Sequence, residues 1–191
     1  MRLILNILLA TGCAMAAVGS AQSKTASSTS KSAALDQLAV YDGEWQARID
    51  HLDTPQSKAS HDEFRLTNRC LRAEQYLACN QAVNGESKIL LVYVCLPNTD
   101  PCLSYPIPSN GAPVSPSTVV VSGNRVEFPW QTSEGNKTTY FRIVNIFASR
   151  DRIEFRQEYS LDGKEWQTMA TGTESRIATA EVLAPQSSQN K

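Results

Sequence analysis

The chain has 191 residues, 18 of them basic and 19 acidic, for a net charge of −1. That balance, with no basic stripe along the chain, excludes nucleic acid and anionic membrane surfaces as expected partners. With 41% hydrophobic residues, a patterned stretch of one domain's size buries roughly 70% of its unfolded surface.

Residues 1–21 carry one positive charge, Arg2, then an apolar run over 3–10 and small residues ending in Gly19-x-Ala21. This is the pattern of a cleaved signal peptide, and the run is too short to span a bilayer. Export to the periplasm or beyond is therefore expected. Ala10-Thr-Gly-Cys13 is a weaker match to a lipoprotein box, which makes acylation of Cys13 a minor alternative. Residues 22–32 are rich in Ser, Thr, Lys and Ala and read as a flexible linker. The tail, 179–191, reads as disordered on the same grounds. The domain proper is 33–178. Beyond the signal stand four cysteines, Cys70, Cys79, Cys95 and Cys102. An even number in an exported chain points to two disulfides, with three pairings open.

Residues 33–39 read as one or two helical turns. Trp45, Ala47 and Ile49 then alternate with Gln46, Arg48 and Asp50, the period of a half-buried strand. After a polar loop at 51–61, Phe64 and Leu66 resume the alternation. A hairpin centred on Glu74-Gln75 sets Leu66 opposite Val83 and Cys70 opposite Cys79, which favours that bridge. The turn lacks the Gly or Asn of a tight two-residue hairpin. Residues 89–96 are apolar on both faces, so this strand is expected to be covered outside, with the 33–39 helix as the cover. A turn at 97–101 places Cys95 and Cys102 to staple it. Prolines at 106, 108, 113 and 116 impose a short, edge-like strand and a long loop.

The second half alternates more cleanly. Val119 and Val121 turn at Gly123-Asn124 into Val126, Phe128 and Trp130. A turn at 133–136 leads to Thr139, Phe141, Ile143, Asn145 and Phe147, and one at 149–151 leads to Ile153, Phe155, Gln157 and Tyr159. Glu154 and Glu158 fall on the outward, solvated side. Asp162-Gly163 is a strong hairpin signal, and a two-residue turn there pairs Tyr159 with Trp166 and Phe155 with Ala170. The count is about ten strands in an up-and-down meander. A long single sheet removes its exposed edges by closing. The expected fold is all-β, a single closed antiparallel barrel with one short N-terminal helix. An even strand count returns Arg176 to Trp45, where the guanidinium stacks on the indole.

Gly43-Glu44-Trp45 after a helical turn, with Arg176 near the end of the barrel, resembles the lipocalins and their wider calycin relatives. Residues 141–147 and 158–166 look like small exported bacterial lipocalin-like proteins of no assigned function. The likeness covers most of 40–177. It implies barrel closure by Gly43, Trp45 and Arg176. Some ten-stranded calycin relatives hold haem on an axial histidine inside the barrel. No histidine lies beyond position 61 here, so no haem is expected.

Strand direction gathers the loops 51–61, 84–87, 108–117, 132–137 and 161–164 at one end, the mouth. Trp130, Tyr159 and Trp166 are expected on the inner face near it, Phe141 one layer below, and Asn145 and Gln157 deeper. An apolar lumen with a few polar anchors suits a small hydrophobic or amphipathic ligand, and these six residues are the expected binding set. One rival reading is a filled barrel that docks a partner through 106–116. Another is a small-molecule enzyme with His51 or His61 as proton carrier. The two histidines lie among Asp50, Asp53, Asp62 and Glu63, but without the spacing of a metal site. No metal, cofactor or catalytic residue is expected, no transmembrane segment is present in the pattern, and nothing in the chain sets an oligomeric state.

Overall fold

The two-residue alternation carries the chain through ten strands. The structure, a computed structural model, describes residues 29–96, 101–112 and 114–178. Helix α1 (Thr29–Leu38) passes through a 3-10 turn (Ala39–Tyr41) into β1 (Gly43–His51). The meander continues as β2 (Ser60–Arg72), β3 (Tyr76–Val83), β4 (Glu86–Val94), β5 (Cys102–Pro108) and β6 (Ser117–Ser122). It finishes with β7 (Arg125–Glu134), β8 (Lys137–Ser149), β9 (Arg152–Ser160) and β10 (Gln167–Arg176). Each strand pairs antiparallel with the next, and β10 returns to β1, so the sheet is a closed barrel. The signal peptide, Cys13, residues 22–28 of the linker and the 179–191 tail lie outside the described residues. Residues 29–32, expected in the linker, belong to α1.

Closure is sealed where the first and last strands meet. Trp45 pairs with Arg176 in the ladder, and the guanidinium lies 4.2 Å over the indole ring. Arg176 donates to the carbonyls of Asp42 at 2.6 Å and Val40 at 2.8 Å and ion-pairs with Asp151 at 2.9 Å. The Trp45 indole N–H donates to the Tyr41 carbonyl at 2.9 Å. Gly43 is required here. Its φ is +123°, and a Cβ would run into the Arg176 guanidinium.

Register in the first half follows the cysteines. Cys70 faces Cys79 and Leu66 faces Val83 across the β2–β3 hairpin. Cys70–Cys79 and Cys95–Cys102 are both bonded, the chemistry of an oxidising compartment.

Three expectations are corrected. The helix does not cover the outside of β4. Leu35 and Leu38, 1% and 0% exposed, pack with Trp45, Leu77, Cys95 and Val119 instead, so α1 plugs the sealed end. The outer face of β4 and β5 stays open, with Leu90 and Ile107 37% and 52% exposed. The β9–β10 hairpin is not a two-residue turn. The Asp162 carboxylate accepts from the Lys164 and Glu165 amides and Ser160 Oγ from the Gly163 amide, which winds a longer loop. Tyr159 therefore faces Gln167 rather than Trp166, and a bulge at Met169 brings Phe155 opposite Gly172 rather than Ala170. Glu158 is outward-facing but only 6% exposed. Arg142 bonds it at 2.6 Å and is itself stacked 4.1 Å from the Trp166 ring.

Trp45→Ala is expected to cost about 3–5 kcal/mol through the void it leaves in the plugged end. Arg176→Ala removes charged hydrogen bonds and the stack, for about 2–3 kcal/mol. Thermal melts check both; parent-like melting of the two variants would contradict the closure. Reduction of the disulfides is expected to lower stability by about 2–3 kcal/mol per bridge, read in the same melts.

Candidate functional site

Inward parity places one residue per strand in each layer of the lumen. Near the sealed end these side chains are packed to exclusion. Trp45, Ala47, Leu77, Val119, Val126 and Ile153 are all at most 1% exposed. Toward the mouth the burial relaxes. Ile49, Phe64, Leu91, Trp130, Phe141 and Ile143 share the inner face and yet keep part of their surface. The loop at 52–59 is pinned beside this end by Leu52 N–H donating to the Met169 carbonyl at 2.9 Å.

Five of the six expected ligand-binding residues share this inner face. Trp130 pairs with Phe141, the rings stacked 5.3 Å apart, and Phe141 pairs with Tyr159. Tyr159 is buried and donates to Gln167 Oε1 at 2.5 Å. Gln157 lies between Ile143 and Ala170, and Asn145 lies deeper, between Val126 and Phe155. Trp166 does not join them. The longer hairpin loop turns it to the outer face, against Arg142.

Sequence reasoning passed over the floor of the lumen. Asn145 Nδ2 donates to the Tyr41 hydroxyl at 2.5 Å, while Asn145 Oδ1 is buried without a partner. The Tyr41 ring packs edge-on to Phe147 at 5.0 Å. Tyr93, buried on β4, approaches Phe128 at 6.3 Å. Into this group projects Glu174 of β10, flanked in register by Ala47 and Ile153. Burial pushes the Glu174 carboxyl up to about 7, and burial also raises Tyr41 and Tyr93 above their ordinary range, with the Glu174 charge adding to it. The sequence did carry a signal: Glu174 shares the inward parity of Arg176.

The histidines separate. His51 faces inward, 9% exposed, and contacts Asp62 at 3.2 Å. His61 faces outward and contacts Asp50 at 2.7 Å. Their parities differ, so they do not converge on one ion, and among the described residues no group of His, Cys, Asp or Glu is placed to hold a metal. An outer groove of about 590 Å³ runs over Val144 and Ile146 between Arg48, Asp50, His61 and Arg156. Its charges are already paired, Asp50 with His61 and Arg48 with Glu63. Among the described residues no helix is long and apolar enough to cross a membrane.

No protein-family model matches the chain, and no curated protein matches it. Among solved structures, the crystal structure of Rv2717c from M. tuberculosis is 15% identical, with a TM-score of 0.42 over 76% of this chain and 98% of that one. A redesigned beta barrel, b11L5F_LGL, is 12% identical, with a TM-score of 0.33 over 73% and 94%. EF1p2_mFAP2b bound to DFHBI is 15% identical, with a TM-score of 0.33 over 77% and 99%. At this distance none of them carries an argument about function.

A carboxyl raised to about 7 from an ordinary 4.5 binds its proton more tightly folded than unfolded. Its stabilising contribution is full below about pH 4.5 and is lost as pH rises through about 7, at most on the order of 3 kcal/mol. The parent's melting temperature is expected to fall over that window more steeply than that of Glu174→Gln. Matching pH profiles would contradict the placement of this carboxyl.

Proposed function

We propose that this protein is an exported, lipocalin-like barrel that binds a small hydrophobic or amphipathic molecule in its lumen. One observation carries the reading, the gradient of burial along the inner face. A barrel evolved only as a solid body would pack both halves alike, since interiors fill to crystal-like density. Here most of the sealed half is packed, while in the mouth half Tyr159 and Ala170 are buried but Ile49, Phe64, Trp130, Phe141 and Ile143 keep part-exposed aromatic and aliphatic surface. Part-exposed apolar walls with a few polar anchors below them are the composition of a small-molecule site.

Trp130, Phe141, Asn145, Gln157 and Tyr159 form the binding set in this reading. The stacked Trp130–Phe141 pair supplies a flat apolar wall. Gln157 and Asn145 supply hydrogen-bonding groups further in. Gly43, Trp45 and Arg176 hold the far end shut, in keeping with the lipocalin-like pattern. The two disulfides and the signal-like start of the chain support a periplasmic or secreted location.

A neutral, environment-sensitive dye such as Nile red is expected to bind with blue-shifted emission and to quench Trp130. Trp130→Ala and Phe141→Ala are each expected to weaken it about tenfold, the loss of one good aromatic contact. Fluorescence titration of the three proteins checks this. No binding by the parent, or binding indifferent to both variants, would contradict the lumen as the site.

A further inference from the structure

The floor of the lumen holds a carboxyl group with nothing to neutralise it. The Glu174 side chain forms no hydrogen bond or ion pair with any described residue. Its flanks in the ladder are Ala47 and Ile153, at most 1% exposed, yet Glu174 itself keeps part of its surface. Directly above on β10 stands Gly172, and the Phe155 ring of the neighbouring strand packs where its side chain would be. Buried carboxylates are normally paired, and an unpaired one is costly.

The surroundings fit a cation better than any other occupant. Tyr41 is joined to this wall of the barrel through Asn145, which stands in register beside Phe155, the neighbour of Gly172, and the Glu174 charge adds to the rise that burial gives Tyr41 and Tyr93. Phe128 and Phe147 back the Tyr41 ring, at 6.4 and 5.0 Å. A carboxylate beside aromatic rings is a receptor for an ammonium group, through charge and through the ring faces. Asn145 Oδ1, buried and unpartnered, offers a further acceptor on the same floor. The cations on the inner face are committed elsewhere. Arg176, two residues on, is held by Val40, Asp42 and Asp151, and His51 near the mouth is held by Asp62. No other titratable side chain faces Glu174 from β1 or β9, where Ala47 and Ile153 stand.

We propose that the lumen floor is an amine subsite, in which Glu174 receives the protonated nitrogen of a cationic amphiphile whose apolar body runs up the lumen toward Trp130 and Phe141. This rests on the lumen reading above and names the class of ligand it takes. The raised affinity of Glu174 for its proton adds a pH dependence. Below about 7 the site is neutral, and an ammonium must displace that proton to bind.

The test compares n-nonylamine, nonyltrimethylammonium and 1-nonanol by calorimetry on the full chain, at pH 5 and pH 8, with the parent and Glu174→Gln. At pH 8 both cations are expected to bind the parent about tenfold or more tighter than the alcohol. The gap is expected to close at pH 5 and in Glu174→Gln, while the alcohol binds all samples alike. Because nonyltrimethylammonium does not titrate, the parent's two pH values test the idea even if the variant fails to fold. Equal binding of cation and alcohol by the parent overturns the amine subsite and leaves the lumen reading standing. A cation preference that survives in Glu174→Gln also overturns it. Binding of none of the three overturns the lumen reading as well.

Discussion

The stack of the Arg176 guanidinium on the Trp45 indole joins the two ends of a ten-stranded meander, and the rest of the molecule is arranged around it. Without that join, β1 and β10 would each present a row of unpaired backbone groups to water and to other chains. Arg176 does more than stack. It caps the carbonyls of Val40 and Asp42 at the end of the 3-10 turn, which orients the chain as it enters β1. The same turn delivers Tyr41 into the barrel and seats Leu35 and Leu38 of α1 beneath it. One cation thus ties the helix, the first strand and the last strand together.

Closure also decides which side chains are inside, because in a ring of strands parity is conserved from one neighbour to the next. That rule places Trp130, Phe141 and Gln157 on the same surface as Trp45, and it also places Glu174 there. A carboxyl in such a position is a local departure from the apolar pattern of the packed end, with a cost in stability above neutral pH. Departures of this kind are expected at functional positions, where a fold tolerates strain or desolvation for a purpose. The disulfides stabilise β2–β3 and β4–β5 near the sealed end, leaving the mouth half free of cross-links among the described residues.

Much of the fold was legible in the sequence because alternation is a direct consequence of strand geometry. The register through Cys70 and Cys79 followed from it, as did the inward face from Val119 to Tyr159. The failures share a cause. At Asp162-Gly163 the dipeptide suggested a tight turn, but the Asp162 and Ser160 side chains bond backbone amides and lengthen the loop. Side-chain capping of this sort leaves no periodic trace, so Trp166 was assigned to the wrong face. The position of α1 was equally invisible, since a short, mostly polar helix with two leucines is compatible with either the wall or the end of a barrel. Tyr41 escaped notice because it falls between helix and strand, where neither period applies. Glu174 was within reach of the parity rule but looked like an ordinary solvated glutamate.

The proposed function turns on one physical condition, that the mouth half of this barrel encloses space rather than interlocking side chains. Xenon occupies dry apolar cavities and leaves filled cores untouched. Diffraction from crystals pressurised with xenon therefore addresses the claim without any assumption about the ligand. The account predicts xenon density inside the barrel, against Trp130, Phe141 and Ile143. Side chains meeting across the axis, with no xenon within the ring of strands, would contradict it.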